Sequence, residues 1–373
     1  MSYPSPLQAK LEAYSLTIES RHEGIAREGA ATGEFKSQLL CEFLPWGDDG
    51  CNVLATTGIV ELEYAAIQKS AGVFDAPCRG TIELRGADRL SFIDRMSTQK
   101  LIDLKEGEAR LAFVINRKGS IVADVVVRNV KDRVLLDFDI TVTEQLCNHF
   151  TSYIVMDDVK FEDTTQSTHW LWCVGPKAST LSQEGMEVYS LPVNLLGIEG
   201  VAIAVSPDKL EDVWQSLIDD DVRPIGWYAL NMARVENGAP IFLIDFDIEN
   251  LPHESNLIES RVRFDKGCYL GQEIVARIEN LGKPKRNLMK LEMKSDALPI
   301  AGAQLWEDSS ARGTPVGVVT SSAISPKSGS QPAVIAMIGK KHVQEGTSLF
   351  VYVGSDLIEC VVTPLTNTKG FPE

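Results

Sequence analysis

Beyond Thr57 the chain switches repeatedly between two apolar periods, and each switch marks a boundary between elements. Residues 58–75, "GIVELEYAAIQKSAGVFD", read as a short helix ending at Gly72. "GTIELRG" (80–86) alternates as a strand, and "ADRLSFIDRMS" (87–97) places Leu90, Ile93 and Met96 on one helical face. Three strands are expected next, at 109–116, 121–129 and 133–139, with "NRKGS" (116–120) joining the first two as a hairpin. Val142, Leu146, Phe150 and Ile154 recur every fourth residue and predict a helix with one apolar stripe. Strands at 168–175 and 200–206 bracket a loop-rich middle. In 207–220, Leu210, Val213, Trp214, Leu217 and Ile218 follow helical spacing behind the start signals Pro207 and Asp208. A further helix over 226–238 is closed by Asn237 and Gly238.

The two ends differ from this middle. Residues 1–57 are polar, with a leading helix near 5–20 and then extended and loop segments around the turn cluster "PWGDDG" (45–50). After Lys283 and Pro284 the pattern becomes short apolar alternations, among them "NLMKLEMK", "PVGVVTSS", "PAVIAMIG" and "SLFVYVG", separated by Gly, Pro and Ser. Such a texture predicts a small β-barrel, with "ISPKSGSQP" (324–332) as a turn inside it. The expected division is an N-terminal extension (1–57), an α+β region of two subdomains (58–284) and a C-terminal β-barrel (285–373).

Charge narrows the partners. Thirty-six Lys and Arg against 52 Asp and Glu leave a net charge of −16 in 373 residues, which argues against a broad basic footprint for nucleic acid or an anionic membrane surface. An anionic ligand must then be held at a local site. No apolar run approaches the ~20 residues that span a bilayer, and the first thirty residues mix Glu19, Glu23 and Glu28 with Lys10, Arg21 and Arg27, unlike a signal or transit peptide. The expected location is the cytoplasm.

Seven cysteines, an odd number without a C-x-x-C pair, fit neither a disulfide framework nor a zinc knuckle. The five histidines never stand at i, i+4, so no local two-histidine metal motif is present and no resident metal is expected. One thiol nevertheless stands out. "KGCYLGQE" (266–273) sets Cys268 between two glycines, about one turn ahead of, or at, the start of a helix that runs to Asn280 and is stopped by Gly282 and Pro284. Unpaired N–H groups at a helix start, with Lys266 beside them, stabilise a thiolate or a bound carboxylate. Alternatively, Cys268 packs as a small hydrophobe.

"KGCYLGQE" and its continuation "IVARIENLGKPKRN" resemble the signature of the YgfZ-like folate-binding proteins, a branch of the glycine cleavage T-protein (aminomethyltransferase) superfamily. The segments 71–127, 233–257 ("ARVENGAPIFLIDFDIENLPHESNL") and 313–326 are similar to further stretches of that superfamily, and residues 1–57 lie outside the resemblance. The resemblance implies an α+β fold, with three subdomains in a ring around a folate and a small β-barrel at the C-terminus. Tetrahydrofolate, or a folate derivative, is the implied cofactor.

Residue by residue, Asp124 matches the second member of an Asp-Asp pair that approaches the folate amine, and Ala123 replaces the first. The alternative is a strand aspartate facing water. Glu199, in "LLGIEGVAI", matches a pterin-binding glutamate with a one-residue gap, or is a turn residue, because the Tyr-Thr-Gly-Glu turn is missing. Leu230 replaces the first arginine of an Ala-Arg-Asp helix; Arg234 and Glu236 match the later Arg-x-Glu, with Arg234 either anchoring a folate carboxylate or sitting in a structural ion pair. Glu254 in "LPHES" is structural or pterin-facing, and Lys266, Tyr269 and Gln272 of the signature complete the candidate folate contacts. Asp124 and Cys268 are the candidate reactive residues.

The altered aspartate pair and the missing Tyr-Thr-Gly-Glu turn subtract from aminomethyl transfer, and the cysteine motif adds a thiol. The resemblance therefore implies a tetrahydrofolate-binding accessory protein that supports iron–sulfur cluster assembly or repair. Its partners would be client enzymes or assembly factors, and Cys268 would carry transient redox or cluster chemistry. Two alternatives stay open: a folate-dependent aminomethyltransferase or related one-carbon transferase, and a scaffold that binds no folate.

Overall fold

The computed structural model describes residues 5–17, 41–47, 51–181, 187–191, 196–282 and 284–365. Of the expected leading helix, 8–17 are helical (α1) and 18–20 lie outside the described residues, as do 48–50 of the "PWGDDG" turn. The chain falls into two compact units, one made of 1–79, 165–191 and 199–231 and the other of 80–164, 192–198 and 232–373.

In the first unit, β1 (Glu42–Trp46) and β2 (Cys51–Thr56) pair as an antiparallel ribbon, followed by α2 (Val60–Lys69) and β3 (Gly72–Asp75). Helix α2 thus ends before the expected Gly72, and "GVFD" is a strand. Its four residues are all buried, because β3 pairs antiparallel with β9 (His169–Val174) and parallel with β12 (Arg223–Pro224). A strand covered on both faces loses the alternation that would reveal it in sequence. The sheet order is β10-β11-β9-β3-β12, with β10 at Glu187–Leu191 and β11 at Gly200–Val205. Helix α5 (Leu210–Asp219) buries Leu210, Val213, Trp214 and Leu217 as its spacing predicts, packed with Leu7, Leu11, Val73, Leu171 and Ile203.

The second unit holds β4 (Arg79–Arg85), α3 (Arg89–Met96), β5 (Ala109–Ile115), β6 (Ile121–Val130), β7 (Arg133–Asp139), α4 (Thr143–Thr151) and β8 (Lys160–Asp163). Its sheet runs β5-β6-β7-β4-β8, and the β5–β6 hairpin turns at 116–120. Val142, Leu146 and Phe150 are buried against it, whereas Ile154 lies past the end of α4. After α6 (Trp227–Glu236) come the single turn α7 (Ile258–Arg261) and α8 (Gln272–Leu281).

Strands β13 (Arg286–Met293), β14 (Gln304–Trp306), β15 (Gly317–Ser325), β16 (Gln331–Gly339), β17 (Ser348–Val353) and β18 (Asp356–Thr363) close a barrel in the order β13-β16-β15-β14-β17-β18. Strand β16 shows how the barrel attaches to the α+β part. Val334, Ala336 and Ile338 fill the barrel, while Ala333, Ile335 and Met337 on its other face join the core of Phe113, Val125, Phe242 and Phe246. Among the described residues, no helix is long and apolar enough to cross a membrane.

Candidate functional site

The motif 266–273 is fixed from three sides. The Lys266 ammonium is buried and donates to the carbonyls of Asp94, Ser97 (3.0 Å) and Gln99 (2.6 Å) around the C-terminus of α3. Carbonyls at a helix end lack internal partners and favour a cation, so the lysine both satisfies and neutralises that end. The Asp94 carboxylate stands 3.4 Å away. Burial nevertheless lowers the Lys266 pKa to about 8, with Asp94 opposing the shift in part. The same ammonium lies 5.1 Å from the centre of the Tyr269 ring, and the amide of Leu270 donates to the carbonyl of Arg95.

At the other end of the motif, Gly271 adopts φ +76° and begins α8. A Cβ there would stand 2.4 Å from the carbonyl oxygen of Asn116, in the β5–β6 turn. In the same turn, a Cβ on Gly119 would meet Ile274 of α8 at 2.9 Å. The hairpin tip and the motif therefore interlock through two glycines, each at a positive φ. Gly267 is different, with nothing within 4 Å of its Cβ position.

Cys268 is exposed, three residues ahead of the Gly271 cap. It opens into a cavity of about 260 Å³ lined by Phe92, Arg95, Met96, Tyr153, Tyr269 and Leu270. Tyr269 is buried, its pKa is pushed up to about 12 by that burial, and its hydroxyl meets no hydrogen-bond partner among the described residues. Gln272 is half-buried at the first position of α8, where its amide donates to the carbonyl of Tyr269.

Asp124 does not face water. It is buried on β6, opposite Phe113 of β5, and its two oxygens accept from Nε (2.8 Å) and Nη2 (3.0 Å) of Arg261. Arg261 is itself fully buried, lies 5.5 Å from the centre of the Phe113 ring and donates through Nη1 to Ser260. Its backbone is pinned as well, since Thr98 Oγ1 donates to the carbonyl of Arg261 while accepting from the amide of Phe113. A two-point guanidinium–carboxylate pair fixes direction as well as distance.

The remaining candidates sit in other arrangements. Arg234 is buried and donates to Asp245 (2.8 Å) and the carbonyl of Ala239, an internal ion pair between α6 and the segment that follows it, and to Ser321 Oγ on the barrel strand β15. Its neighbour Glu236 accepts from Ser325 and from the amide of Lys327. Glu254 is buried, accepts from Asn250 Nδ2 and the amide of Leu251, and stands 3.5 Å from Arg286 Nε. Glu199 is exposed, and its carbonyl accepts from the amide of Gly175. It belongs to the first unit, whereas the other candidates lie in the second.

Arg261 is the residue that sequence reasoning missed. A signal existed: Asp124 is the only acid in the otherwise apolar run "IVADVVV", and a buried carboxylate requires a cation. Arg95, Phe92 and Tyr153 carried no such signal, because only the fold brings them to Cys268. No group of three or more His, Cys, Asp or Glu side chains suited to a metal occurs among the described residues.

Comparison with known proteins agrees with the architecture. Residues 30–191 match the GCVT N-terminal domain, and 286–367 match the glycine cleavage T-protein C-terminal barrel domain. The first match begins inside the segment expected to be an extension. Proteins named aminomethyltransferase from Chlorobium luteolum and Prosthecochloris aestuarii are each 24% identical, aligned over 84% and 83% of this chain and 91% and 92% of their own. The crystal structure of glycine cleavage system aminomethyltransferase T from Bartonella henselae superposes with a TM-score of 0.77 at 20% identity, covering 89% of this chain and 96% of that one. The N-terminal domain and the C-terminal barrel domain are thus both present in one chain, which belongs to the glycine cleavage T-protein superfamily.

Proposed function

We propose that this protein binds a reduced folate, tetrahydrofolate or a derivative, and acts as an accessory factor for iron–sulfur enzymes rather than as an aminomethyltransferase. The observation that carries the reading is the Asp124–Arg261 clamp. Aminomethyl transfer calls for a group free to move a proton at the folate amine. A carboxylate with both oxygens committed to a buried guanidinium is instead a fixed charge, suited to orienting an amine. The motif adds an exposed thiol on a rigid mount, and such a thiol serves a partner protein more readily than an enclosed reaction.

Folate binding would draw on Asp124 and, among the candidates of the second unit not already committed to internal ion pairs, Tyr269 and Gln272. Cys268 would carry the chemistry shared with iron–sulfur clients or assembly factors. The transferase reading keeps one specific support: relatives named aminomethyltransferase align with 84% of this chain.

Calorimetric titration with tetrahydrofolate and its formyl form, on wild type and Asp124→Asn, tests the first part. Saturable binding weakened by the substitution is expected, and absence of binding by wild type would favour the scaffold alternative. Restoration of iron–sulfur enzyme activity in a deletion strain tests the second part. Wild type should restore it and Cys268→Ala should not. Turnover with the other glycine cleavage components would establish the transferase instead.

A further inference from the structure

The turn 241–246, between α6 and the PHES segment, is closed by one buried carboxylate. Asp245 accepts from the amide of Ile241 (2.8 Å), from Arg234 (2.8 Å) and from Thr320 Oγ1 (2.7 Å), and its own amide donates to the carbonyl of Ile241 at 2.9 Å. The amide of Leu243 donates across the turn to the carbonyl of Phe246 at 2.6 Å. Held this way, Leu243 adopts φ +69°. In that left-handed region a Cβ crowds the backbone, so glycine or asparagine is the residue at ease there. Among the described residues, the other non-glycine positions at positive φ are Lys131, Asp221, Asn256, Ala311 and Ser330, all polar or small. Leu243 alone is large and apolar, and at 37% exposure it gains less from burial than a core leucine does. Such a residue serves the fold poorly, and strain that the surrounding bonds impose is a mark of a side chain with another task.

The place of the turn suggests that task. Phe113 and Asp124 stand directly opposite each other across β5 and β6, so their side chains share one face of the sheet. On that face the Arg261 guanidinium lies 5.5 Å from the centre of the Phe113 ring, and Phe246 meets the same ring edge to face at 6.0 Å. Leu243 is bonded to Phe246 through its amide, and one aromatic contact further on stands the Asp124–Arg261 clamp, all within the second unit. We propose that Leu243 packs against the p-aminobenzoyl ring of a bound folate, and so sets a preference for a complete folate over a bare pterin. The inference rests on the reading of Asp124 as the group that orients the folate amine. That amine is bonded directly to the benzoyl ring, so a folate held at Asp124 brings this ring to the same face of the hairpin. A ring with two apolar faces is the part of a folate that a half-exposed leucine suits, whereas the pterin edge calls for hydrogen-bond partners.

The test uses the full-length protein under reducing conditions, as wild type, Leu243→Ala and Leu243→Gly. Calorimetry gives the affinity for tetrahydrofolate, and displacement of tetrahydrofolate gives that for 6-methyltetrahydropterin, which lacks the benzoyl ring. Both variants should bind tetrahydrofolate about tenfold more weakly than wild type and 6-methyltetrahydropterin within about twofold of it. In thermal unfolding Leu243→Gly should outlast Leu243→Ala, because alanine keeps the left-handed strain that glycine relieves. Equal unfolding temperatures would remove the strain that singles this leucine out. Equal losses for both ligands would overturn the contact with the ring, and lower stability with unchanged tetrahydrofolate affinity would make Leu243 a packing residue. If Asp124→Asn weakens binding while both Leu243 variants bind as wild type does, this inference fails and the folate reading stands. No binding of tetrahydrofolate by wild type would remove both.

Discussion

Arg261 and Asp124 stand 137 positions apart in the chain, yet the guanidinium of one meets the carboxylate of the other through two bonds, at 2.8 and 3.0 Å, in a buried setting. Neither charge has water to fall back on. Removing one partner leaves the other desolvated and unpaired, so Arg261→Met should cost about 3–5 kcal/mol of stability in urea unfolding. Replacing both, as Asp124→Leu with Arg261→Met, should recover most of that loss. If the single and double variants unfold at the same midpoint, the two charges are not coupled. Asp124→Asn keeps the shape of the side chain and is therefore the better variant for ligand titrations.

Arg234 should behave as a stabilising residue. It donates to Asp245, Ser321 and a main-chain carbonyl from a fully buried position. Arg234→Lys loses the planar fork that serves three acceptors at once and should lower stability by roughly 2–4 kcal/mol. Folate affinity, measured at a temperature where the variant is fully folded, should stay within about threefold of wild type, a change below 1 kcal/mol. A large loss of affinity with unchanged stability would assign Arg234 to the ligand.

The contrast between these arginines explains what the sequence could disclose. Helix α5 was legible because it has one buried face and a clean period, and the hairpin and the barrel because their apolar runs are long and bounded by turn residues. Strand β3 was hidden by burial on both faces, and the two-residue β12 is too short to carry any period. At the candidate site, the segments 116–120 and 266–273 each showed their glycines, but not that Gly119 packs on Ile274 or Gly271 on Asn116. Those contacts join residues some 155 positions apart, and local pattern is silent at such range. Arg95 and Tyr153 entered the Cys268 cavity for the same reason.

Within the motif, the two glycines should respond oppositely to a methyl group. Gly271→Ala places a Cβ against the Asn116 carbonyl and forces a left-handed conformation, at a cost of about 1–2 kcal/mol for the backbone alone. Gly267→Ala meets nothing and should change stability by less than about 0.5 kcal/mol. Thermal unfolding of the two variants checks this. Equal losses would mean that the loop is held differently. Gly271→Ala should also weaken the restoration of iron–sulfur enzyme activity in a deletion strain, because the mount of Cys268 moves with the turn, whereas Gly267→Ala should leave the mount in place.

Lys266 links this mount to pH. Burial brings its folded pKa down to about 8, below the ordinary lysine value of 10.5 in the unfolded chain. Between these values the unfolded chain binds the proton that the folded chain has released, so stability from this group rises with pH across the window. Below pH 8 both states are protonated and the cost of burying the ammonium is present in full. Relative to Lys266→Met, which cannot titrate, wild type should therefore gain stability on going from neutral pH toward pH 10, by on the order of 1 kcal/mol per pH unit at most. Urea unfolding of both proteins at matched ionic strength measures the difference directly. A flat difference would mean that the three carbonyls hold the ammonium strongly enough to cancel its desolvation, and a falling one that they exceed it.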